Sequence, residues 1–319
     1  MVYPSDNFDG GVYNYRQYLP YTTMARFFGC KLKMNSQLDS QDIEMADIVV
    51  FNRQYNEGCL KAMEYSLLKK KLVVFDLDDN IFAVQKENPA YETYTDKTVM
   101  HNLKLFIEHA NVFIVSNVRL AEALKHYRKG KPTTIIENGI PWGFFQKKIN
   151  KNSTPTVSWH GGPSHLGDLN LVKKLPMIMD KWRFVSFGSV NIEGWEHVPV
   201  VPFKAFYQVL RTIDPDVAVT PLNINAFNQC RTCIKFVENT AVGAANVCTK
   251  YGPYAELEDY VIFPKDNNNP EAWAEAIEEA FEKRNELVSK ADLLVRERFN
   301  TRKVAFDLGK VLIDGYRGL

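Results

Sequence analysis

Two cations and one carboxylate recur at helical spacing late in the chain. Arg231, Lys235 and Glu238 stand at i, i+4 and i+7 within the stretch AFNQCRTCIKFVENTAVGAANVCTKYGPY, residues 226–254. On a helix starting near Thr232 that spacing stacks the three side chains along one stripe, while Ile234, Val237 and Ala241 line another face toward a core. A phosphate beside the cations and sugar hydroxyls beside the carboxylate would suit the stripe. A surface helix carrying an ordinary Lys–Glu pair would show the same spacing. The helix N-terminus, with free amides and a positive dipole end, would face Phe227, Asn228 and Gln229 and any anion above them. Gly243 sits where a helix exit takes positive φ, ahead of a buried strand at 246–249.

Other groups converge on the same chemistry. Gly10-Gly11 precedes a helix expected over about 12–28, and His160-Gly161-Gly162 follows an apolar strand, so each turn lets backbone amides approach a ligand. Neither is a G-x-G-x-x-G, which argues against a dinucleotide cofactor. His160 suits a hydrogen-bond donor to an anion, since His160 and His165 lack the carboxylate or thiol company of metal ligands. The strand at 71–79 ends in Asp76, Asp78 and Asp79, at the carboxyl end where open α/β sheets bind ligands. That cluster resembles the aspartate motif of haloacid-dehalogenase-like phosphatases, with a phosphoryl-accepting first acid, an acid/base second acid and Mg²⁺. Against it, Asp79-Asn80 replaces the usual small turn, and the strand lies third or fourth in its domain rather than first.

The elements that must position these residues alternate regularly. Strands are expected at 2–4, 46–52, 71–79, 112–115 and 133–138, with an edge strand at 31–34 and helices at 56–69, 97–109 and 117–128. A polar, basic stretch, Gln146 to Pro155, reads as a linker. The alternation restarts with strands at 156–159, 183–187, 198–201, 216–221 and 260–263, and helices at 167–180 and 203–212. Pro270 and Glu271 open a long helix, and two more helical segments end the chain. The pattern is α/β, with two Rossmann-like domains facing across a cleft.

Composition sets the class. With 319 residues, 45% hydrophobic and 24% charged, the chain suits two ordinary globular domains. A net charge of +1 gives no field that selects nucleic acid or anionic lipid. The helix at 117–131 brings Arg119, Arg128, Lys129 and Lys131 together with apolar residues, the pattern of a polyanion or membrane surface or of a solvated face. No secretory pattern or bilayer-length apolar run is present, so a cytoplasmic location is expected. Five scattered cysteines form no disulfide framework, and Cys230-x-x-Cys233 has no second half for a zinc site.

Taken in order, these motifs resemble GT-B glycosyltransferases, particularly the retaining, GT4-like group and its short phage and bacterial relatives. The resemblance is carried by the Gly-Gly turn with Tyr15-Arg16 and Leu19-Pro20, the run Val74–Asp79, and Ile136-Glu-Asn-Gly-Ile140. It continues through Trp159-His-Gly-Gly with Asp168-Leu169 to Ile234-Lys-Phe-Val-Glu238 and Pro253-Tyr254. It implies an acceptor-side domain at 1–150, a nucleotide-sugar domain at 151–300, and a terminal helix at 301–319 packing back on the first domain. It also implies a nucleotide-diphosphate sugar as donor, UDP-sugar foremost, a hydroxyl acceptor of unspecified kind, and no required metal. Glu238 falls where relatives bind ribose hydroxyls, and Lys235 where a cation holds the diphosphate. Gly10, Gly11, Gly161, Gly162 and His160 fall near the phosphates, and Tyr254 closes the motif. Arg231 or His165 would replace the missing Arg/Lys pair. Asp78 or Asp79 would orient the acceptor hydroxyl or act as base. Relatives carry a second Glu eight residues before the ribose-binding one, and here that position is Cys230, so Asn228 and nearby amides would contact the donor sugar. A binding module without transfer activity, or a transferase acting on a hydroxymethylated base in phage DNA through lysines 129, 131, 147, 148 and 151, are the alternatives.

Overall fold

The computed structural model describes residues 1–3, 10–144 and 153–319. Two five-stranded sheets organise them. The first contains β1 (Val2–Tyr3), β2 (Ile48–Asn52), β3 (Leu72–Leu77), β4 (Val112–Val115) and β5 (Thr134–Ile135), adjacent in that order. The second contains β6 (Thr156–Gly161), β7 (Arg183–Gly188), β8 (Glu196–Pro199), β9 (Val217–Thr220) and β10 (Ala245–Cys248), in the order β10-β9-β6-β7-β8. All pairings between these strands are parallel. The sequence explains why: β3, Leu-Val-Val-Phe-Asp-Leu, is buried along its whole length, as a strand covered on both faces must be.

Each sheet reverses its winding where a glycine turn stands. From β6 the chain moves outward to β7 and β8, then crosses to β9 on the other side, which puts the switch at the carboxyl end of β6. In the first sheet Val2 bridges Met34 on its free edge and β1 pairs β2 on the other, so that switch lies at β1, just ahead of Gly10-Gly11. Crevices at such points are where open α/β sheets bind ligands.

Several expected elements are shorter than their periodicity implied. The edge strand at 31–34 is reduced to that single bridge, and 260–263 to one bridge between Ile262 and Val247. The helix expected at 167–180 is instead broken into tight turns, Asp168–Leu171 and Leu175–Met177. Pro176 cannot donate to an α-helical ladder, and its ring crowds the preceding turn. The linker expected at 146–155 lies, from 146 to 152, outside the described residues.

The last helix, Thr301–Arg317, returns to the first sheet. Val304, Ala305, Leu308 and Leu312 pack with Tyr21, Met24, Val50 and Val74 in one buried cluster. Gly309 lets the helix lie against Phe28, whose ring a Cβ there would overlap. The crossing is pinned by Ile140 N–H to the Phe299 carbonyl at 2.8 Å and Thr301 N–H to the Ile140 carbonyl at 3.0 Å. On the opposite side, Phe227 and Cys230 leave the second lobe to join the first lobe's core. Asn117 Nδ2 donates to the Cys230 carbonyl at 2.8 Å. The lobes therefore meet face to face around a cleft.

Candidate active site between the lobes

A cavity of about 340 Å³ lies between the carboxyl ends of the two sheets. The first lobe contributes Gly11, Tyr15, Asp78, Asp79 and Asn138. The second contributes His160, Gly161, Gly162, Ser164, His165, Arg231, Lys235, Glu238 and Tyr254. Of the residues expected to hold the donor or catalyse transfer, Gly10 and Asn228 lie off this wall.

Arg231 reaches the cavity differently from the expectation. The helix is Ile234–Ala241 with Cys233 as its N-cap, so Arg231 precedes it rather than sharing its stripe. Its guanidinium lies 4.6 Å from the Phe227 ring centre, and Nη2 donates to Ser164 Oγ at 2.9 Å. Arg231 Nε is buried without a protein partner. Lys235 Nζ lies 2.9 Å from His165 Nε2. Among the described residues the ion pairs include neither Arg231 nor Lys235. Burial, and then Arg231, push the lysine down to about 8, against the pull of Glu238, Asp168 and Asp79.

The glycines serve two ends. A Cβ on Gly11 or Gly162 would meet nothing within 4 Å, so the backbone borders open space. At Gly161 a Cβ would stand 2.9 Å from the Trp159 ring and 3.2 Å from Lys235 Nζ. Gly161→Ala is therefore expected to destabilise the fold by about 1–3 kcal/mol through overpacking, measurable by urea unfolding.

Glu238 is buried and fully engaged. Tyr15 donates its hydroxyl to Oε1, and His160 Nε2 lies 2.8 Å from Oε2. The Tyr207 hydroxyl is 2.7 Å from that of Tyr15. Burial and the adjacent Glu238 charge push both phenols well up, so they stay protonated. The role expected of His160 changes accordingly. An ionised carboxylate only accepts, so the Nε2 proton goes to Glu238 rather than to an anion in the cavity, and Nδ1 is left without a protein partner.

Asn228 is likewise turned away from any donor sugar: its Nδ2 donates to Asp168 Oδ1 at 2.8 Å and to the Asn223 carbonyl at 3.0 Å. Cys230 is buried between the lobes, with Asn80 Nδ2 3.7 Å from its sulfur. Burial pushes its thiol up, and that of Cys233 to about 12, which suits packed thiols rather than reactive ones. The Gly10 carbonyl accepts from Asn14 N at 3.1 Å and Nδ2 at 2.9 Å, fixing the start of the first helix. Tyr254 is buried in a core cluster and also lines the cavity.

The acidic strand end is organised by two arginines. Arg53 bonds Asp78 from Nε at 2.5 Å and Asp79 from Nη2 at 2.7 Å. It does so from a left-handed backbone, φ 48°, an uncommon conformation for a long side chain and one to be expected at a site. Asp78 is pushed up by burial. Burial also raises Asp79, but the charges of Arg231 and Arg53 outweigh it and bring its carboxyl down. Asp76 is held by Arg16, Oδ1 to Nε at 3.0 Å and Oδ2 to Nη2 at 2.7 Å, with Asn52 Nδ2 at 2.9 Å from Oδ1. It does not line the cavity, which removes the structural support for a phosphatase nucleophile there.

The basic patch at 119–131 is also spoken for. Arg128 is buried and donates to the carbonyls of Ile107 and Ala110. Lys129 pairs with Glu108, Lys131 donates to the Glu108 carbonyl, and Arg119 pairs with Glu256 across the lobes. Lysines 147, 148 and 151 lie outside the described residues. A second interlobe cavity, of about 300 Å³, adjoins Arg231 from behind, but Arg119 and Arg298 on its rim are neutralised by Glu256 and Glu137. Among the described residues no three His, Cys, Asp or Glu side chains converge as metal ligands, and no helix is long and apolar enough to cross a membrane.

Two members of the site, Tyr15 and Arg53, were given no role from the sequence. Tyr15 stands four residues after Gly11, one helical turn away on the same face. Arg53 directly follows β2, whose Asn52 is in register with Asp76. The place of Arg53 follows from the sheet order, and that of Tyr15 from how the two lobes close.

No family model matches the sequence, and no curated protein sequence matches it either. Solved structures do match. The sucrose-phosphate synthase of Thermosynechococcus elongatus superposes with a TM-score of 0.67 at 16% identity, over 86% of this chain and 74% of that one. The pneumococcal O-GlcNAc transferase GtfA, solved with UDP and GlcNAc, gives 0.60 at 11% identity, over 86% of this chain and 58% of its own. AviGT4, a glycosyltransferase involved in avilamycin A biosynthesis, gives 0.55 at 11% identity, over 91% of this chain and 83% of its own. This chain thus spans little more than half of GtfA. At such identities the likeness defines the fold, which is the GT-B arrangement of two facing Rossmann-like lobes.

Proposed function

We propose that the protein is a glycosyltransferase that moves a sugar from a nucleoside-diphosphate sugar, UDP-sugar foremost, to a hydroxyl acceptor, with retention and with no required metal. One observation carries the reading. Arg231 and Lys235 converge on one cavity with no ion-pair partner among the described residues, and the buried carboxylate of Glu238 lines the same cavity. A diphosphate between the cations would satisfy both, including the orphaned Arg231 Nε. As the glycosidic bond breaks, negative charge grows on that diphosphate, and fixed cations and amides stabilise it without reorganising. In the retaining course a β-phosphate oxygen of the leaving group takes the acceptor's proton, and no protein nucleophile is needed. Asp79, clamped by Arg53, orients the acceptor hydroxyl from the first lobe.

On this reading residues 1–150 form the acceptor side, 151–300 the donor side, and 301–319 a strap back to the first lobe. A smaller cavity of about 220 Å³ continues from Glu238 between Phe187, Val200, Val201, Phe203 and Phe206. Apolar and aromatic walls there suit a nucleobase. GtfA, a transferase of the same fold solved with UDP, supports the donor class.

Tyr15 stands where a ribose hydroxyl would bind Glu238, so the nucleotide must displace it. Tyr15→Phe is therefore expected to tighten nucleoside-diphosphate binding by about threefold to tenfold, since the ligand no longer competes with a hydrogen bond worth about 1 kcal/mol. Calorimetric titration of the two proteins measures this.

Incubation with UDP-, GDP- and ADP-sugars tests the activity. Release of the nucleoside diphosphate or transfer to an added hydroxyl acceptor is expected with one of them. Binding without turnover would favour a nucleotide-sugar-binding module, a reading that the burial of Cys230 away from the cavity supports.

A further inference from the structure

Lys235 is held at the cavity by a chain of buried groups from the segment after β6. Asp168 begins it. Its Oδ1 accepts the Asn223 backbone N–H and Asn228 Nδ2, both at 2.8 Å, while its Oδ2 lies 2.9 Å from His165 Nδ1. An ionised carboxylate has no proton to give, so Nδ1 carries the hydrogen and Nε2 keeps a lone pair. That lone pair faces Lys235 Nζ at 2.9 Å, and an ammonium only donates. The opposite arrangement, a carboxylic acid donating to Nδ1, would point an Nε2 hydrogen at the ammonium. Burial, with Arg231 and Lys235 nearby, holds His165 well below its usual range and hence neutral.

We propose that His165 and Asp168 are positioning residues for Lys235. The neutral imidazole takes one ammonium hydrogen, turns the other two toward the cavity, and keeps the lysine charged beside Arg231 without adding a third cation. The anion those hydrogens would meet is the donor diphosphate, so its identity rests on the proposed function; the chain itself does not. The groups facing Nζ are Arg231 and Glu238 from its own segment, His160, His165 and Asp168 from β6 and the residues after it, and Asp79 from the first lobe. Glu238, Asp168 and Asp79 favour the ammonium, and Arg231 opposes it.

Lysine side-chain NMR of the ligand-free protein, assigned with Lys235→Arg, reads the titration of Nζ directly. A wild-type midpoint near 8 is expected. His165→Leu removes the acceptor and should lower it by about one unit or more, whereas His165→Gln, whose carbonyl can accept, should restore it. In Asp168→Asn the amide oxygen is claimed by Asn223 and Asn228, which leaves the NH₂ against His165, reverses the tautomer and lowers the midpoint again. UDP affinity at pH 7.5 should fall about threefold or more in His165→Leu, as the charged fraction of Lys235 drops, and recover in His165→Gln. An unchanged midpoint in folded His165→Leu overturns the proposal. Should that variant not fold, an unchanged midpoint in Asp168→Asn does so. If no nucleoside diphosphate binds even the wild type, the donor reading fails, while the NMR midpoints still decide the role of the pair.

Discussion

Lys235→Ala is expected to lower kcat/KM for the donor by about 10²-fold or more, the usual cost of deleting one fixed group that stabilises charge in the transition state. The effect should fall on kcat as well as KM, because charge on the diphosphate increases as the bond to the sugar breaks. The pH dependence has a definite sign. Only the ammonium holds a diphosphate, so wild-type affinity should decline as pH rises through about 8, where the free lysine loses its proton. Folding moves the other way. The lysine's folded value lies below the ordinary lysine value of 10.5, so between about 8 and 10.5 the unfolded chain binds more protons and the ligand-free fold gains stability as pH rises. Lys235→Ala should lack both trends, which urea unfolding and nucleotide titration across that window would show. Near-wild-type transfer by this variant would remove Lys235 from the site.

Glu238→Ala is expected to weaken nucleoside-diphosphate binding by about 30-fold or more, because hydrogen bonds from ribose hydroxyls to a buried carboxylate are charge-assisted. It should also erase the preference for UDP over 2′-deoxy-UDP, which a general loss of stability would not do. The same change strands the His160 N–H, now bonded to the carboxylate, whereas the Tyr15 hydroxyl keeps the Tyr207 hydroxyl at 2.7 Å as a partner. A drop of about 1–3 kcal/mol in stability for that one donor should accompany the loss of binding. Comparing UDP with its deoxy form in wild type and variant separates the two effects.

Much of this arrangement is legible in the sequence, for identifiable reasons. Apolar runs such as Val73–Phe75 and Val217–Val219 are buried throughout and alternate with helices, which dictates parallel sheets. The glycine pairs stand at the carboxyl ends of the strands where the winding reverses, so Gly11, Gly161 and Gly162 reach the cleft with Lys235 and Glu238. Other features depend on contacts that spacing does not encode. Arg231 left its expected stripe because the helix begins at Ile234. His160 and Asn228 are polar residues at the right place, yet each is claimed by a nearby acceptor: Glu238 from the helix Ile234–Ala241, and Asp168 from a loop 60 residues away in sequence. Tyr15 meets Glu238 across 223 residues, a pairing set by how the lobes close and by nothing local. The helix expected at 167–180 gave way because Pro176 breaks a ladder whose apolar spacing otherwise suggests one.

Calorimetric titration of UDP, GDP and ADP into the wild type, Lys235→Ala and Glu238→Ala tests the central claim most directly. The interlobe cavity is predicted to bind at least one of these nucleotides in the wild type, UDP most tightly, with each variant losing most of that affinity. Failure of all three to bind the wild type, or equal binding by all three proteins, would contradict the assignment of this cavity to a nucleoside diphosphate.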